Sequence, residues 1–196
     1  MIFAEYIEHD PAMPFQVFRK LGHQDWTGAG DRMIANVGRT QRLSGEPFYM
    51  CWWEIKGFAR LDEWEAHFRT DEGRLYTAET PVSRAMRFTR NGLYDTIIGD
   101  APLPGGLHLI EFFDAQGASQ AELRDYFQGR AGKAAPGKLA YVINRIGLLA
   151  PDPGGMAVWN FADYVSAEGF VRATPPAGPV RFVQAGLYRN FGEEIV

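Results

Sequence analysis

One histidine in the first part of the chain is the strongest candidate for acid–base chemistry. His23 lies in the polar stretch Gly22-His-Gln-Asp-Trp26. A histidine titrates near neutral pH, where it can both take up and release a proton. Asp25 is close enough in sequence to orient the imidazole, and Trp26 could line a pocket. The alternative is a histidine at the C-terminal end of a helix, where the helix dipole favours its charged form.

Two glutamates, Glu5 and Glu111, occupy matching places in two apolar segments. The residues two positions away on either side of each are apolar, and in a strand they share its face. A carboxyl group isolated in such a place has a raised pKa and suits proton transfer, whereas pairing with a cation lowers the pKa. Arg39 and Arg145 are the expected partners in the alternative, structural interpretation, because buried charges are generally paired.

The run Tyr49-Met-Cys-Trp-Trp53 predicts a central strand followed by a further carboxylate. Trp52 and Glu54 should share one face, and Cys51 and Trp53 the other. Adjacent tryptophans belong either to the core or to the wall of a cavity for an apolar or aromatic ligand. Glu54 is a further candidate acid or base. Cys51 is expected to be inert, because a thiol buried in an aromatic strand is not activated.

The phrase Arg87-Phe-Thr-Arg-Asn-Gly-Leu-Tyr94 is nearly repeated as Arg181-Phe-Val-Gln-Ala-Gly-Leu-Tyr188. Matching tyrosines at a strand end could donate hydrogen bonds into a cavity, so Tyr94 is a candidate substrate contact. The repetition favours a structural role instead. Each half would need a closing strand, a glycine that permits close approach and a tyrosine at the rim.

With the two phrases in register, each half contains four strand-like runs with helix candidates between them. The predicted strands are 2–8, 33–40, 50–55 and 87–94, then 108–114, 138–145, 156–161 and 181–188. The predicted helices are 14–24, 61–68, 81–86, 120–128 and 165–171. Ser119 and Glu122 form a capping-box pattern, and Ser166 is a candidate cap.

The order β-α-β-β-α-β in each half predicts an α+β fold of two fused ferredoxin-like repeats. Such a unit covers one sheet face with helices and leaves the other bare. Exposed apolar surface is unfavourable by about 25 cal/mol per Å². The two sheets are therefore expected to pack sheet to sheet as a dimeric α/β barrel. The predicted repeats are 1–98 and 107–196, joined by the turn-rich linker 99–106.

This arrangement resembles the dimeric α/β-barrel superfamily, and the first half is most similar to its EthD-like branch. The likeness lies in a helix that ends in a histidine, Phe18-Arg-Lys-Leu-Gly-His23, and in the pattern of residues 58–73. No histidine follows the matching helix of the second half, at Gly129-Arg-Ala-Gly132. The resemblance implies a single, asymmetric site. The activities that it implies include isomerases, cyclases, lyases, cofactor-free oxygenases and haem enzymes.

Composition excludes several classes of protein. A net charge of -4 and a pI near 5.6 argue against nucleic-acid binding. No apolar run reaches the roughly 18 residues of a membrane span. Acidic residues near the N-terminus disfavour a signal peptide, and the single cysteine fits a reducing compartment. The histidine spacing predicts no metal site. A cytoplasmic location is expected.

Together these features predict a cofactor-independent enzyme doing acid–base chemistry, as an isomerase, cyclase or lyase. Its substrate would be a small apolar or aromatic molecule in the cavity between the two sheets. His23 would be the acid or base, with Glu5, Asp25 or Glu54 as its partner. The predicted substrate contacts are Trp26, Trp52, Trp53, Tyr94, Arg39 and Glu111. The alternatives are a non-catalytic ligand-binding or stress-response barrel, and a haem-binding barrel using His108. Homo-oligomer formation stays open.

Overall fold

A computed structural model describes residues 1–9, 31–40, 47–70, 86–132, 137–173 and 175–190. In these ranges eight antiparallel strands form one closed barrel, with three helices outside it. Strands β1 to β8 are Ile2–His9, Arg32–Arg39, Tyr49–Glu54, Met86–Ile98, Gly106–Asp114, Lys138–Arg145, Gly155–Phe161 and Arg181–Asn190. Helices α1 to α3 are Ala59–Phe68, Gln120–Ala131 and Tyr164–Arg172. None of these helices has the length and apolar character needed to cross a membrane.

The predicted fold class is wrong. Around the barrel the strands follow the order β1-β3-β2-β8-β5-β7-β6-β4. Strand β2 pairs with β8 and β4 pairs with β6, so the chain forms no two separate ferredoxin-like sheets packed face to face. The physical reason is that closure pairs the backbone groups that two open sheets would leave exposed along their edges.

The individual elements lie close to their predicted positions. The capping box of α2 is confirmed, with the Ser119 side chain accepting from the Glu122 N–H and Glu122 accepting from the Ser119 N–H. Asp163, and not Ser166, is the N-cap of α3. Its side chain accepts from the Ser166 N–H, and the Ser166 hydroxyl oxygen accepts from the Asp163 N–H. The predicted helix 14–24 lies outside the described residues, as does 81–85, while Met86 begins β4.

Packed side chains occupy the inside of the barrel. Trp52, Tyr94 and Tyr188 are fully buried there. The hydroxyl oxygens of Tyr6 and Tyr94 are 2.5 Å apart, and the Tyr188 hydroxyl donates to the carbonyl of Pro47 at 3.1 Å. The described side chains therefore fill the space in which the sequence predicts a substrate cavity. The tyrosines of the repeated phrase lie in the core and not at a rim.

The segment between Ile98 and Gly106 packs across one end of the barrel. Leu103 is buried, and its N–H donates to the carbonyl of Ile34 at 2.8 Å. Its own carbonyl accepts from the Asn190 amide at 2.5 Å. His108, near the start of β5, hydrogen-bonds the carbonyl of Pro104 at 3.0 Å. The segment thus closes this end of the barrel.

The helices cover the outer faces of the strands in two further clusters. In the first half, Leu61 and Trp64 of α1 pack against a core that includes Cys51 and Trp53. In the second half, α2 and α3 cover a core that is centred on Trp159. Side chains that alternate along each strand therefore face either the packed interior or the helices.

Gly92 of the repeated phrase is required by the packing of its own tyrosine. A Cβ atom at this position would lie 2.7 Å from Cε2 of Tyr94 and 2.9 Å from Cβ of Ala150. Because Tyr94 is buried, its ring cannot move aside. We expect Gly92→Ala to lower the free energy of unfolding by about 1–3 kcal/mol, measured by urea denaturation.

Gly129→Ala is the matched control, because a Cβ atom there has no neighbour within 4 Å. In the interior of α2 this change should leave stability unchanged or raise it by up to about 1 kcal/mol. Equal stability of the Gly92→Ala variant and the parent protein would contradict the packing role of Gly92.

Candidate functional site

The second half contains a fully compensated buried carboxylate. Glu111 of β5 and Arg130 of α2 are both buried and form a bidentate ion pair, with N–O distances of 2.5 and 2.8 Å. The indole N–H of Trp159 donates to the same carboxylate at 2.8 Å. The guanidinium also lies about 5 Å from the ring centres of Trp159, Phe170 and Phe182. Glu111 is thus part of a buried structural ion pair.

The described part of the first half repeats the carboxylate and the tryptophan, and no arginine is paired with them there. Glu5 of β1 accepts a hydrogen bond from the Trp53 indole N–H at 2.8 Å, as Glu111 does from Trp159. Both indoles stand forty-eight positions after their glutamate. Within the described part of the chain, no lysine, arginine or histidine forms an ion pair with Glu5. Glu5 is half-buried, whereas Glu111 is only 5% exposed.

The buried environment of Glu5 changes its proton affinity. Burial raises the pKa of the Glu5 carboxyl from 4.5 to about 7, against the smaller, lowering effect of the Trp53 hydrogen bond. Desolvation disfavours the charged form of a carboxyl group, and a single neutral donor compensates it only in part. Glu5 is therefore present in both protonation states near neutral pH.

A polar row extends from Glu5 across two further strands. In the barrel register Glu5 lies opposite Cys51 of β3, and Cys51 lies opposite Asn36 of β2. The Cys51 thiol donates to the Asn36 side-chain oxygen at 3.6 Å. The same positions in the second half are Glu111, Ala157 and Val142. The polar row is thus specific to the first half.

Cys51 does not behave as a nucleophile in this row. Burial raises the pKa of its thiol well above the ordinary value, and the nearby charge of Glu5 raises it further. A thiol held in its protonated form is a poor nucleophile. Its position supports the sequence-based interpretation of Cys51 as inert.

The sequence placed Trp52 and Trp53 on opposite faces of the strand, and the structure shows which face each one occupies. Trp53 faces the helices and contacts Glu5, whereas Trp52 points into the barrel. The indole N–H of Trp52 has no hydrogen-bond partner among the described residues. Only Trp53 of the pair therefore belongs to the polar row.

The other predicted site residues with described positions do not converge on Glu5. Glu54 ends β3 on the surface, where it pairs with Arg32 at 2.8 Å. Arg39 ends β2 and stacks over the ring of Phe48 at 5.3 Å, and Tyr94 lies inside the barrel. Glu111 belongs to the second half. The structural interpretation expected Arg39 or Arg145 to pair with these glutamates, but Glu111 pairs with Arg130, and Arg145 pairs with Asp152.

His23, Asp25 and Trp26 lie outside the described residues, so their predicted roles stay predictions. Among the described residues, no group of three or more histidine, cysteine, aspartate or glutamate side chains could hold a metal ion.

Two residues of these clusters were missed from the sequence. Arg130 follows Leu123 and Phe127 at the spacing of one helical face, and all three are buried. A charged residue in the apolar stripe of a helix indicates a buried ion pair, and this pattern could have identified Arg130 from the sequence. Asn36 carried no comparable signal, because only the pairing of β2 with β3 brings it to Cys51.

Comparison with known proteins gives a likeness in fold alone. No protein-family model matches the chain, and no curated protein matches it in sequence. Solved structures of chlorite dismutase variants from Candidatus Nitrospira defluvii are similar in shape. One variant in complex with cyanide has a TM-score of 0.54 at 11% identity, covering 96% of this chain and 89% of that one. Two others have TM-scores of 0.57 and 0.56 at 11% and 12% identity, covering 99% of this chain and 92% of theirs. The closed barrel of this chain is therefore similar in fold to these chlorite dismutase structures.

Removing the arginine of the compensated pair tests its role directly. Arg130→Met leaves the Glu111 carboxylate buried with only the Trp159 N–H as its compensating donor. We expect a loss of about 3–5 kcal/mol in the free energy of unfolding, because an unpaired buried charge is strongly destabilising. The double variant with Glu111→Gln should recover part of this loss.

Arg172→Met provides the control for loss of an arginine. Arg172 pairs with Glu168 on α3, and its side chain is 76% exposed. Its replacement should change stability by no more than about 0.5 kcal/mol. Losses of equal size in the two single variants would refute a special role for the buried pair.

Proposed function

We propose that the chain is an enzyme of small-molecule metabolism that uses Glu5 as a general acid or base. The observation that carries the proposal is the half-buried Glu5 carboxyl, which has a pKa of about 7 and no described cationic partner. Catalytic acids and bases work best when their pKa lies near the operating pH. A carboxyl group with such a perturbed pKa is a candidate functional group.

The position of Glu5 supports proton transfer on the helix-facing side of the first half. The carboxylate form can take a proton from a carbon acid, and the protonated form can return it to another atom of the same molecule. The Trp53 N–H stabilises the carboxylate without fixing it as strongly as an arginine would. Proton movement of this kind is the chemistry of cofactor-independent isomerases, cyclases and lyases.

We propose His23, on the basis of the sequence, as the second proton-transfer group, with Asp25 as its orienting partner. Their first-half location and the first-half polar row are compatible with a single asymmetric site. The proposed substrate class, a small apolar or aromatic molecule, rests on the aromatic residues beside Glu5, Phe3 and Trp53 among them.

A proton-exchange assay tests the proposed role of Glu5. A panel of enolisable carbonyl compounds is incubated with the protein in deuterated water, and deuterium incorporation is followed by proton NMR. We expect at least one compound to exchange, and Glu5→Gln to lower its rate by about 100-fold or more. The rate of proton abstraction should rise with pH through about 7, because the reactive form is the carboxylate.

Glu168→Gln is the matched control, since Glu168 lies on α3 in an exposed ion pair. Its exchange rate should equal that of the parent protein. The proposal is wrong if no compound exchanges, if Glu5→Gln exchanges at the parental rate, or if the pH step persists in Glu5→Gln. Ligand binding without any exchange would favour the non-catalytic binding protein.

A haem-related function is a second candidate, favoured by the fold-level likeness to chlorite dismutase, a haem enzyme. The described residues do not fit an axial ligand. His108 is fully buried, and both ring nitrogens have oxygen partners, Asn160 and Pro104. His67 lies exposed on α1. A histidine ligand for haem would be His9 or His23, whose side chains are not among those that the structure describes.

Haem titration separates the two candidates. Haemin added to the purified chain should give no Soret band beyond that of free haemin if the acid–base proposal holds. A saturable Soret band that is lost in His23→Ala would support the haem candidate instead.

We further propose that residues 1–98 and 107–196 arose by duplication, and that the first half is EthD-like. The matching glutamate–tryptophan pairs of the two halves support the duplication. A cytoplasmic location stays part of this proposal, as does the possibility of a homo-oligomer.

A further inference from the structure

An open groove lies at one end of the second half, away from Glu5. Its volume is about 830 Å³. The walls are the end of β5, the end of β6, the turn before β7 and the start of β8. The charged residues lining it are Asp114, Arg145, Asp152 and Arg181. A groove of this size is within the usual range of small-molecule sites.

Arg145 is held in place on one wall of the groove. Its backbone N–H donates to the carbonyl of Gly154 at 2.7 Å. Its side chain lies directly against Gly154, since a Cβ atom there would come within 2.5 Å of the arginine Cδ. This contact restricts the aliphatic stem, so the guanidinium is presented to the groove at low conformational cost. The Arg145 side chain is 32% exposed.

The one ion-pair partner of Arg145 in the described chain is easily replaced. Asp152 bonds only the Nη1 group of Arg145, and its side chain is 81% exposed. An ion pair with so exposed a carboxylate contributes little to stability. A guanidinium has five N–H donors, so further donors of Arg145 can bind an incoming oxygen anion, or the anion can displace Asp152.

The opposite wall provides room for more than an inorganic ion. Arg181 pairs with Asp114 there, and Val183 adds an apolar surface. Asn144 and the loop 115–118 complete the lining with polar and small groups. Because the two arginines face two aspartates, the groove has no net charge, and recognition must come from geometry at Arg145.

We propose that this groove binds the oxyanion group of a small organic molecule, a carboxylate or a phosphomonoester, with Arg145 as its anchor. The remainder of the ligand lies against Val183 and the 115–118 loop. The proposal does not depend on the role of Glu5.

Titration of the full chain with inorganic phosphate and with acetate tests this site. Binding is monitored by NMR, through changes in amide chemical shift, and by calorimetry. We expect both anions to shift the backbone amide signals of residues 115–118, Asp152 and Gly154. Arg145→Gln should weaken the binding by about tenfold or more. Asp152→Asn should strengthen it, because the competing carboxylate is gone. Tighter binding of phosphate than of acetate identifies a phosphomonoester site, and the reverse identifies a carboxylate site.

Arg172→Gln is the control, because it removes the same charge from an exposed ion pair outside the groove. Circular dichroism checks that each variant is folded. The proposal is overturned if neither anion binds or if Arg145→Gln binds like the parent protein. It is also overturned if Arg172→Gln loses as much affinity, or if Asp152→Asn binds no more tightly.

Discussion

A carboxylate on the apolar, helix-facing side of a strand needs hydrogen-bond donors or a cation to stabilise its charge. The two halves of the barrel provide these groups to different degrees. Glu111 has a bidentate arginine and an indole donor, so its charge is a fixed part of the core. Glu5 has only the indole donor among the described residues. Among the described residues Glu111 is paired with an arginine and Glu5 is not, and burial raises the pKa of Glu5 to about 7, so that it exchanges its proton near neutral pH.

Barrel closure determines where chemistry can take place. Strands β1 and β5, which carry the two glutamates, each lie between two neighbouring strands of the ring. The interior is filled by Trp52, Tyr94, Tyr188 and their neighbours. Any substrate therefore has to approach from the outer face or from an end of the barrel. The polar row of the first half lies on the outer face, and the arginine groove lies at one end of the second half.

Local features of the fold were predictable from the sequence, and long-range ones were not. Short aromatic and β-branched runs placed the strands, and the Ser119–Glu122 spacing placed the start of α2. The closure of the barrel could not be predicted from the sequence, because β2 and β8 are paired by only a few residues that are far apart in sequence. The matching glutamates were identified, but their different environments depend on Arg130, which a helix brings to Glu111. Asn36 reaches the site through strand pairing alone.

The protonation equilibrium of Glu5 is the central claim, and a carbon-13 NMR titration of the side-chain carboxyl groups measures it directly. Comparison with the spectrum of Glu5→Gln assigns the resonance. We predict that the Glu5 carboxyl titrates with a midpoint near pH 7. A midpoint near the ordinary value of 4.5 would contradict it, because Glu5 would then be as fully ionised at neutral pH as a surface glutamate.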